Sequence, residues 1–228
     1  MPIFKLPNKK VVLFIHIPKS GGTSVEQQFR RTGCEEFLFN SKADPFFKCS
    51  SQHLHRDSIE QLIDLKKIDY IFTVVRNPVS RIISEYKFRS NQKLASQGID
   101  QWYAMIQKQY KTNPFINDNH IRPSHEFIVN QCKIFKLEDG LEQLFQTLGK
   151  KLSFEKLGTT KTQHAMTSRQ VMEQRQDKNI TSDISNTQDF AEPSINTIRN
   201  IISDYSTDFD LFGYKKNAKL YLSNRANL

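Results

Sequence analysis

The sequence predicts an α/β protein, a parallel sheet covered by helices on both faces. Two near-continuous apolar runs, Val11 to Ile17 and Asp69 to Val75, read as strands without a solvent face. Each is followed by a segment whose apolar residues recur at helical spacing, and that alternation implies crossover connections and parallel pairing. At 228 residues the chain suits one domain, drawn over 1–214, with 215–228 as a basic, polar and loosely held tail.

The first strand is bounded by Lys10 and Pro18. Gly21-Gly22 then breaks the chain, and Thr23 to Arg31 reads as a helix with Val25 and Phe29 on one face. Glu36 to Phe39 is a short candidate strand. Asp57-Ser58-Ile59-Glu60 has the capping-box pattern, with Ile59, Leu62 and Ile63 as the inward stripe behind it. After the second long run, Asn77 is placed to cap a helix and Pro78 suits its first position. Val79, Ile82, Ile83 and Tyr86 follow at i, i+3, i+4 and i+7. Lys133 to Leu137 is a third apolar strand, trailed by a helix bearing Leu141, Leu144, Phe145 and Leu148. Thr159 to Asp189 is polar, reads as loop with one helix, and is expected to be the most mobile region. Pro193 opens a last helix with Ile195, Ile198, Ile201 and Ile202 inward.

Composition narrows the function classes. No apolar run approaches the roughly 20 residues of a membrane span. Met1 to Lys10 holds three lysines, and the short run after it has no small-residue cleavage site, so a soluble, cytoplasmic protein is expected. Cys34, Cys49 and Cys132 lie far apart, which opposes both a disulfide scaffold and a zinc module; no metal is expected. A net charge of +9 favours anionic partners.

Two strand–helix junctions hold the chemistry. Ile17-Pro18-Lys19-Ser20-Gly21-Gly22-Thr23-Ser24 aims backbone N–H groups and a helix N-terminus at one point, which receives an anion. Lys19 adds a full charge, and Ser20, Thr23 and Ser24 add hydroxyls. The triphosphate version of this loop places its lysine after the last glycine; here Lys19 precedes the pair. The strand ending at Val75 is followed by Arg76, not by the Asp that would hold magnesium. Arg76 can fork onto a phosphate, and Ser84, just over two helical turns later, can offer a hydroxyl to the same group. Both junctions fall at the C-terminal edge of a parallel sheet, where open α/β folds bind ligands. They suggest one ligand with phosphates at two positions.

These residues resemble the sulfotransferases that use 3′-phosphoadenosine 5′-phosphosulfate. Lys19 to Ser24 is similar to their 5′-phosphosulfate loop, and Arg76 with Ser84 to their 3′-phosphate motif. The subgroup most resembled is the carbohydrate sulfotransferases related to heparan sulfate 2-O-sulfotransferase. Lys136 to Asp139 and Asp208 to Tyr214 also look like this family. The resemblance implies a P-loop-NTPase-like fold, that sulfated nucleotide as donor with 3′-phosphoadenosine 5′-phosphate as product, and a hydroxyl-bearing acceptor, a glycan or glycoside. It implies a transition-state role for Lys19 and places Lys161 and Thr162 in a late cofactor-contacting loop.

Transfer to a hydroxyl needs a base near pKa 7, which points to histidine. His53-Leu54-His55 lies between the two phosphate motifs. The resemblance makes His55 the base and His53 its support; taken without it, a His-x-His in a loop is more often solvated surface. His120 and Arg122, in the polar string Asn117 to Pro123, are candidate acceptor contacts. His16, inside the first strand, reads as packed. Three rivals stand beside this reading. They are a small-molecule kinase or other nucleotide phosphotransferase on the same fold, a basic nucleic-acid-binding protein, and a nucleotide-binding regulator without turnover. The spread of the basic residues and the absence of a recognition module oppose nucleic acid.

Overall fold

The structure is a computed structural model that describes residues 1–40, 46–159, 190 and 192–223. The expected apolar runs form the parallel half of its sheet. β2 (Val11–Ile15), β4 (Tyr70–Val75) and β5 (Lys133–Lys136) lie side by side, with Ile15 opposite Thr73 and Val75 opposite Lys136. Two further strands complete it. β1 (Ile3–Lys5) runs antiparallel to β2, and β3 (Glu35–Phe37) antiparallel to β1, giving the order β3-β1-β2-β4-β5. The sheet is therefore mixed around a parallel core.

Alternate residues of the central strands feed opposite faces, as a period of two requires. Val12, Phe14, Phe72 and Val74 pack with Val25 and Phe29 of α1 (Gly22–Arg31) and with Leu144, Phe145 and Leu148 of α5 (Leu141–Lys151). Leu13, Ile15, Ile71 and Val75 pack with Ile59 of α2 (Arg56–Leu62), Phe127, Val129 and Phe212. A third cluster forms among helices. Val79, Ile82, Ile83 and Tyr86 of α3 (Pro78–Asn91) meet Trp102, Tyr103 and Ile106 of α4 (Ile99–Thr112). After α6 (Glu155–Thr159), α7 (Ile195–Asp204) adds Ile198 and Ile201, and α8 (Ser206–Leu211) adds Phe209.

The caps explain where helices start. Asn77 Oδ1 accepts from the Val79 and Ser80 N–H groups at 3.0 and 3.4 Å, with Pro78 next to it, so α3 begins where expected. α2 starts earlier than the capping-box pattern implies. His55 takes the N-cap position, Asp57 falls inside the first turn, and Leu62 is 71% exposed instead of inward. The helix after Pro193 is capped by Ser194, whose hydroxyl accepts from Thr197 N–H, and it is not the last. α9 (Ala218–Ser223) follows in the segment expected to be loose, and its Tyr221 hydroxyl accepts from Asn77 Nδ2 at 2.9 Å. The stretch expected to be most mobile lies outside the described residues except at Thr159, which ends α6.

Candidate active site

β2 and β4 pair in parallel, so the loop after Ile17 and Arg76 after β4 emerge at the same edge of the sheet. They touch there: Arg76 Nη1 donates to the Lys19 carbonyl at 3.5 Å. The loop turns through left-handed backbone at Lys19 (φ 65°) and Gly21 (φ 84°) before α1 begins at Gly22. Gly21 is needed for its left-handed backbone and Gly22 for packing. A Cβ on Gly21 would meet Leu137 Cδ1 at 2.8 Å. A Cβ on Gly22 would sit 2.6 Å from Cδ2 and Cε1 of His16 and nearer still to Nε2. His16 cannot yield easily, because its Nδ1 lies 2.5 Å from Glu26 Oε1 and Gln52 Nε2 donates to the same oxygen at 2.9 Å. The expected packed histidine is thus the floor of the loop.

The loop also carries polar and charged groups that its own packing does not use up. The Ser20 hydroxyl is buried and has no hydrogen-bond partner among the described residues, a state that proteins seldom leave without a use. Lys19 Nζ stands 4.0 Å from the centre of the Phe88 ring, a cation–π contact. Burial, aided by Arg76 and Arg89, lowers its pKa to about 8, against a rise from Glu85. Ser24 is buried and Thr23 exposed on the first turn of α1. Burial lowers the Arg76 pKa, while Glu138 opposes that. Glu138 also orders the junction: Oε1 accepts from Asn77 N–H at 2.7 Å and Oε2 from the Tyr214 hydroxyl at 2.9 Å. Ser84 sits half-buried on α3.

Behind the loop stands a line of three imidazoles, each bonded through Nδ1 to a different carboxylate. His16 meets the edge of His53 at 5.0 Å between ring centres, and His53 meets His120 at 4.9 Å. His53 Nδ1 lies 2.7 Å from Asp118 Oδ2, and His120 Nδ1 lies 2.6 Å from Glu85 Oε2. An ionised carboxylate has no proton to give, so in His53 and His120 Nδ1 holds the hydrogen and Nε2 is left as the basic atom. Burial pushes the His53 pKa down to about 3 and lowers that of His120. The ligand atoms of His53, Asp118 and His120 lie within 4.8 Å of one another, close enough in distance for a metal ion, but these bonds already account for the arrangement. Asn117, Asp118 and Asn119 are all left-handed (φ 53°, 58° and 63°), a conformation Asn and Asp tolerate best. Asp118 also accepts from Ser50 N–H and Oγ.

The remaining candidates lie differently. His55 is half-buried at the start of α2, its Nδ1 3.2 Å from Ser58 Oγ and its ring edge-on to Phe115 at 5.5 Å. Burial lowers its pKa, with Arg122 acting the same way. The ring contacts place His120, not His55, in the group with Phe88 and Lys19. Arg122 is buried and holds its own loop: Nε donates to Asn119 Oδ1 at 3.0 Å, Nη1 pairs with Glu126, and Nη2 donates to Pro114 O at 3.3 Å. Lys161 and Thr162 lie outside the described residues. Sequence reasoning passed over Glu85, Phe88, Asp118 and Glu26. Glu85 directly follows Ser84, and Asp118 stands two residues before His120, so proximity to flagged residues was the available signal.

An α/β sheet carries two strand–loop–helix junctions at the C-terminal edge of its parallel strands, bonded to each other through Arg76 and Lys19, with a line of histidines behind the first. The model of the sulfotransferase family matches residues 3–215, nearly the whole described fold. The chain belongs to the sulfotransferase family, and its activity is sulfuryl transfer. No match was found among curated proteins or among solved structures. Among the described residues, no helix is long and apolar enough to cross a membrane.

Proposed function

We propose that the protein transfers the sulfuryl group of 3′-phosphoadenosine 5′-phosphosulfate to a hydroxyl of a carbohydrate acceptor, with a histidine as base, in the manner of the relatives of heparan sulfate 2-O-sulfotransferase. The observation that supports this most is the contact between the two phosphate motifs, Arg76 Nη1 on the Lys19 carbonyl. The residues suit the donor: the Ser20 hydroxyl is buried without a partner among the described residues, and the loop leads into the N-terminus of α1, which no side chain caps. Lys19 and residues Ser20 to Ser24 would hold the 5′-phosphosulfate, and Arg76 with Ser84 the 3′-phosphate. Lys161 and Thr162 are further proposed contacts. When bound, the nucleotide supplies the activated sulfuryl group.

The chain's own residues do the rest. Lys19 is a half-buried cation whose proposed place is where negative charge grows on the leaving oxygen, where it would stabilise the transition state more than the ground state. The base takes the acceptor proton on an imidazole nitrogen. His55 is the proposed base: it is half-buried, beside the Phe115 ring, and has one nitrogen beyond its Ser58 contact. His53, with Nδ1 held by Asp118, supports the loop in front of it. His120 and Arg122 are proposed to shape the acceptor side. A screen with radiolabelled donor over glycans, small glycosides, lipids and tyrosine peptides tests the reading. Lys19→Ala should lower transfer by roughly 100- to 1000-fold. Transfer of phosphate from ATP with magnesium, in place of sulfate, would favour the kinase alternative and overturn it.

A further inference from the structure

Glu85 is fully buried on α3, one residue after Ser84. Oε1 accepts from Arg89 Nε at 2.7 Å, and Oε2 lies 2.6 Å from His120 Nδ1. Burial alone would raise its carboxyl pKa, but His120 and Arg89 outweigh that and hold it at about 2. The residue is a permanent anion in the protein interior, which is costly and weakly stabilising as a structural device. Its surroundings lead to the catalytic loop. The His120 ring stacks against Phe88 at 6.0 Å and 22°, and Phe88 bears the Lys19 ammonium 4.0 Å from its centre. Around Lys19 stand Arg76 from the end of β4, Arg89 and Glu85 from α3, and His120 from the left-handed loop. Both guanidiniums repel the ammonium; Glu85 attracts it.

We propose that Glu85 is a positioning residue for the transfer reaction: its carboxylate seats the His120 ring against Phe88, the ring that bears the Lys19 ammonium, and places a buried negative charge in that cluster. This rests on the role given to Lys19 above. Without the carboxylate, burial and two arginines act on Lys19 unopposed, and it loses its proton at lower pH. The cation needed at the leaving oxygen is then missing in the range where the parent enzyme works.

The test is Glu85→Gln, which keeps the shape and removes the charge. Two readouts are taken: the titration of Lys19 by competitive acetylation with peptide mass spectrometry, and the pH profile of kcat/KM for sulfate transfer. Both the Lys19 midpoint and the alkaline limb should move down by about one pH unit or more. Glu85→Asp should restore much of the shift. Arg89→Gln, as a second variant, should move the Lys19 midpoint the other way. An equal loss at every pH with an unmoved Lys19 midpoint would overturn the proposal, as would an unchanged profile. Lys19→Ala separates the two claims: if it transfers sulfate normally, the role of Lys19 itself is wrong. The acetylation midpoint still reports the action of Glu85 in that case.

Discussion

Replacing Gly22 by alanine should destabilise the protein and weaken nucleotide binding together. At an unstrained surface site, a glycine-to-alanine change stabilises by about 0.4–1 kcal/mol, because the unfolded chain loses freedom. Gly22 is not left-handed, so backbone strain does not oppose the change. Space does: the new methyl would stand 2.6 Å from two carbons of the His16 ring and closer to Nε2. His16 is 5% exposed and tied to Glu26, which Gln52 also holds, so the ring moves only by breaking that network. Overpacking of this kind costs about 1–3 kcal/mol. In a chain of this size each kcal/mol lowers Tm by about 2–4 °C, so a fall of roughly 2–12 °C is expected. Thermal melts followed by circular dichroism measure it, and His16→Ala/Gly22→Ala should be less destabilised than the sum of the single variants. Affinity for 3′-phosphoadenosine 5′-phosphate should fall in Gly22→Ala, since the displaced backbone belongs to the proposed phosphate loop. A Tm equal to or above the parent's would refute the packing argument.

Acid should unfold the protein before its carboxylates are protonated. His53 is held neutral well below its ordinary value, at about 3, and His120 is lowered too. The unfolded chain then binds protons that the native state refuses. Stability is full above about pH 6.5 and falls below it by about 1.4 kcal/mol per pH unit for each such ring; urea melts that stay flat from about pH 7 to about pH 4 would contradict this. His55→Ala should lose about 100- to 10,000-fold in turnover while nucleotide affinity is kept, and normal turnover there with loss in His53→Ala or His120→Ala moves the base. The parent's profile should be bell-shaped, its acid limb below about pH 6.5 because burial lowers His55, and its alkaline limb set by Lys19 near pH 8.

The parallel core was legible because its strands are buried on both faces, and such strands must be apolar throughout. β1 was not: three residues, Ile3 to Lys5, show no period, and its place is fixed by pairing with β2 and β3. α4 went unread although Trp102, Tyr103 and Ile106 turn inward, since the polar residues among them dilute the stripe. The two strand–helix junctions were legible as local strings, and the register of β2 against β4 brings them together. The carboxylate partners were not, for a different reason. Glu26, Glu85 and Asp118 look like surface acids in the sequence, and become partners of His16, His120 and His53, the first two of them buried, through contacts spanning 10, 35 and 65 residues. Glu138 and Tyr214 are a similar case: segments noticed for resemblance prove to brace Asn77, next to Arg76.

The central claim is that the loop from Lys19 to Ser24 and the Arg76 junction form one site for a bis-phosphorylated adenosine. Calorimetric titration of the parent and of Arg76→Ala with 3′-phosphoadenosine 5′-phosphate, in buffer containing a chelator, tests it directly. The account predicts one molecule bound per chain without divalent metal, and at least a tenfold loss of affinity in the variant, or about 1.4 kcal/mol. Equal affinity for both proteins, or binding by the parent only when magnesium is supplied, would contradict it.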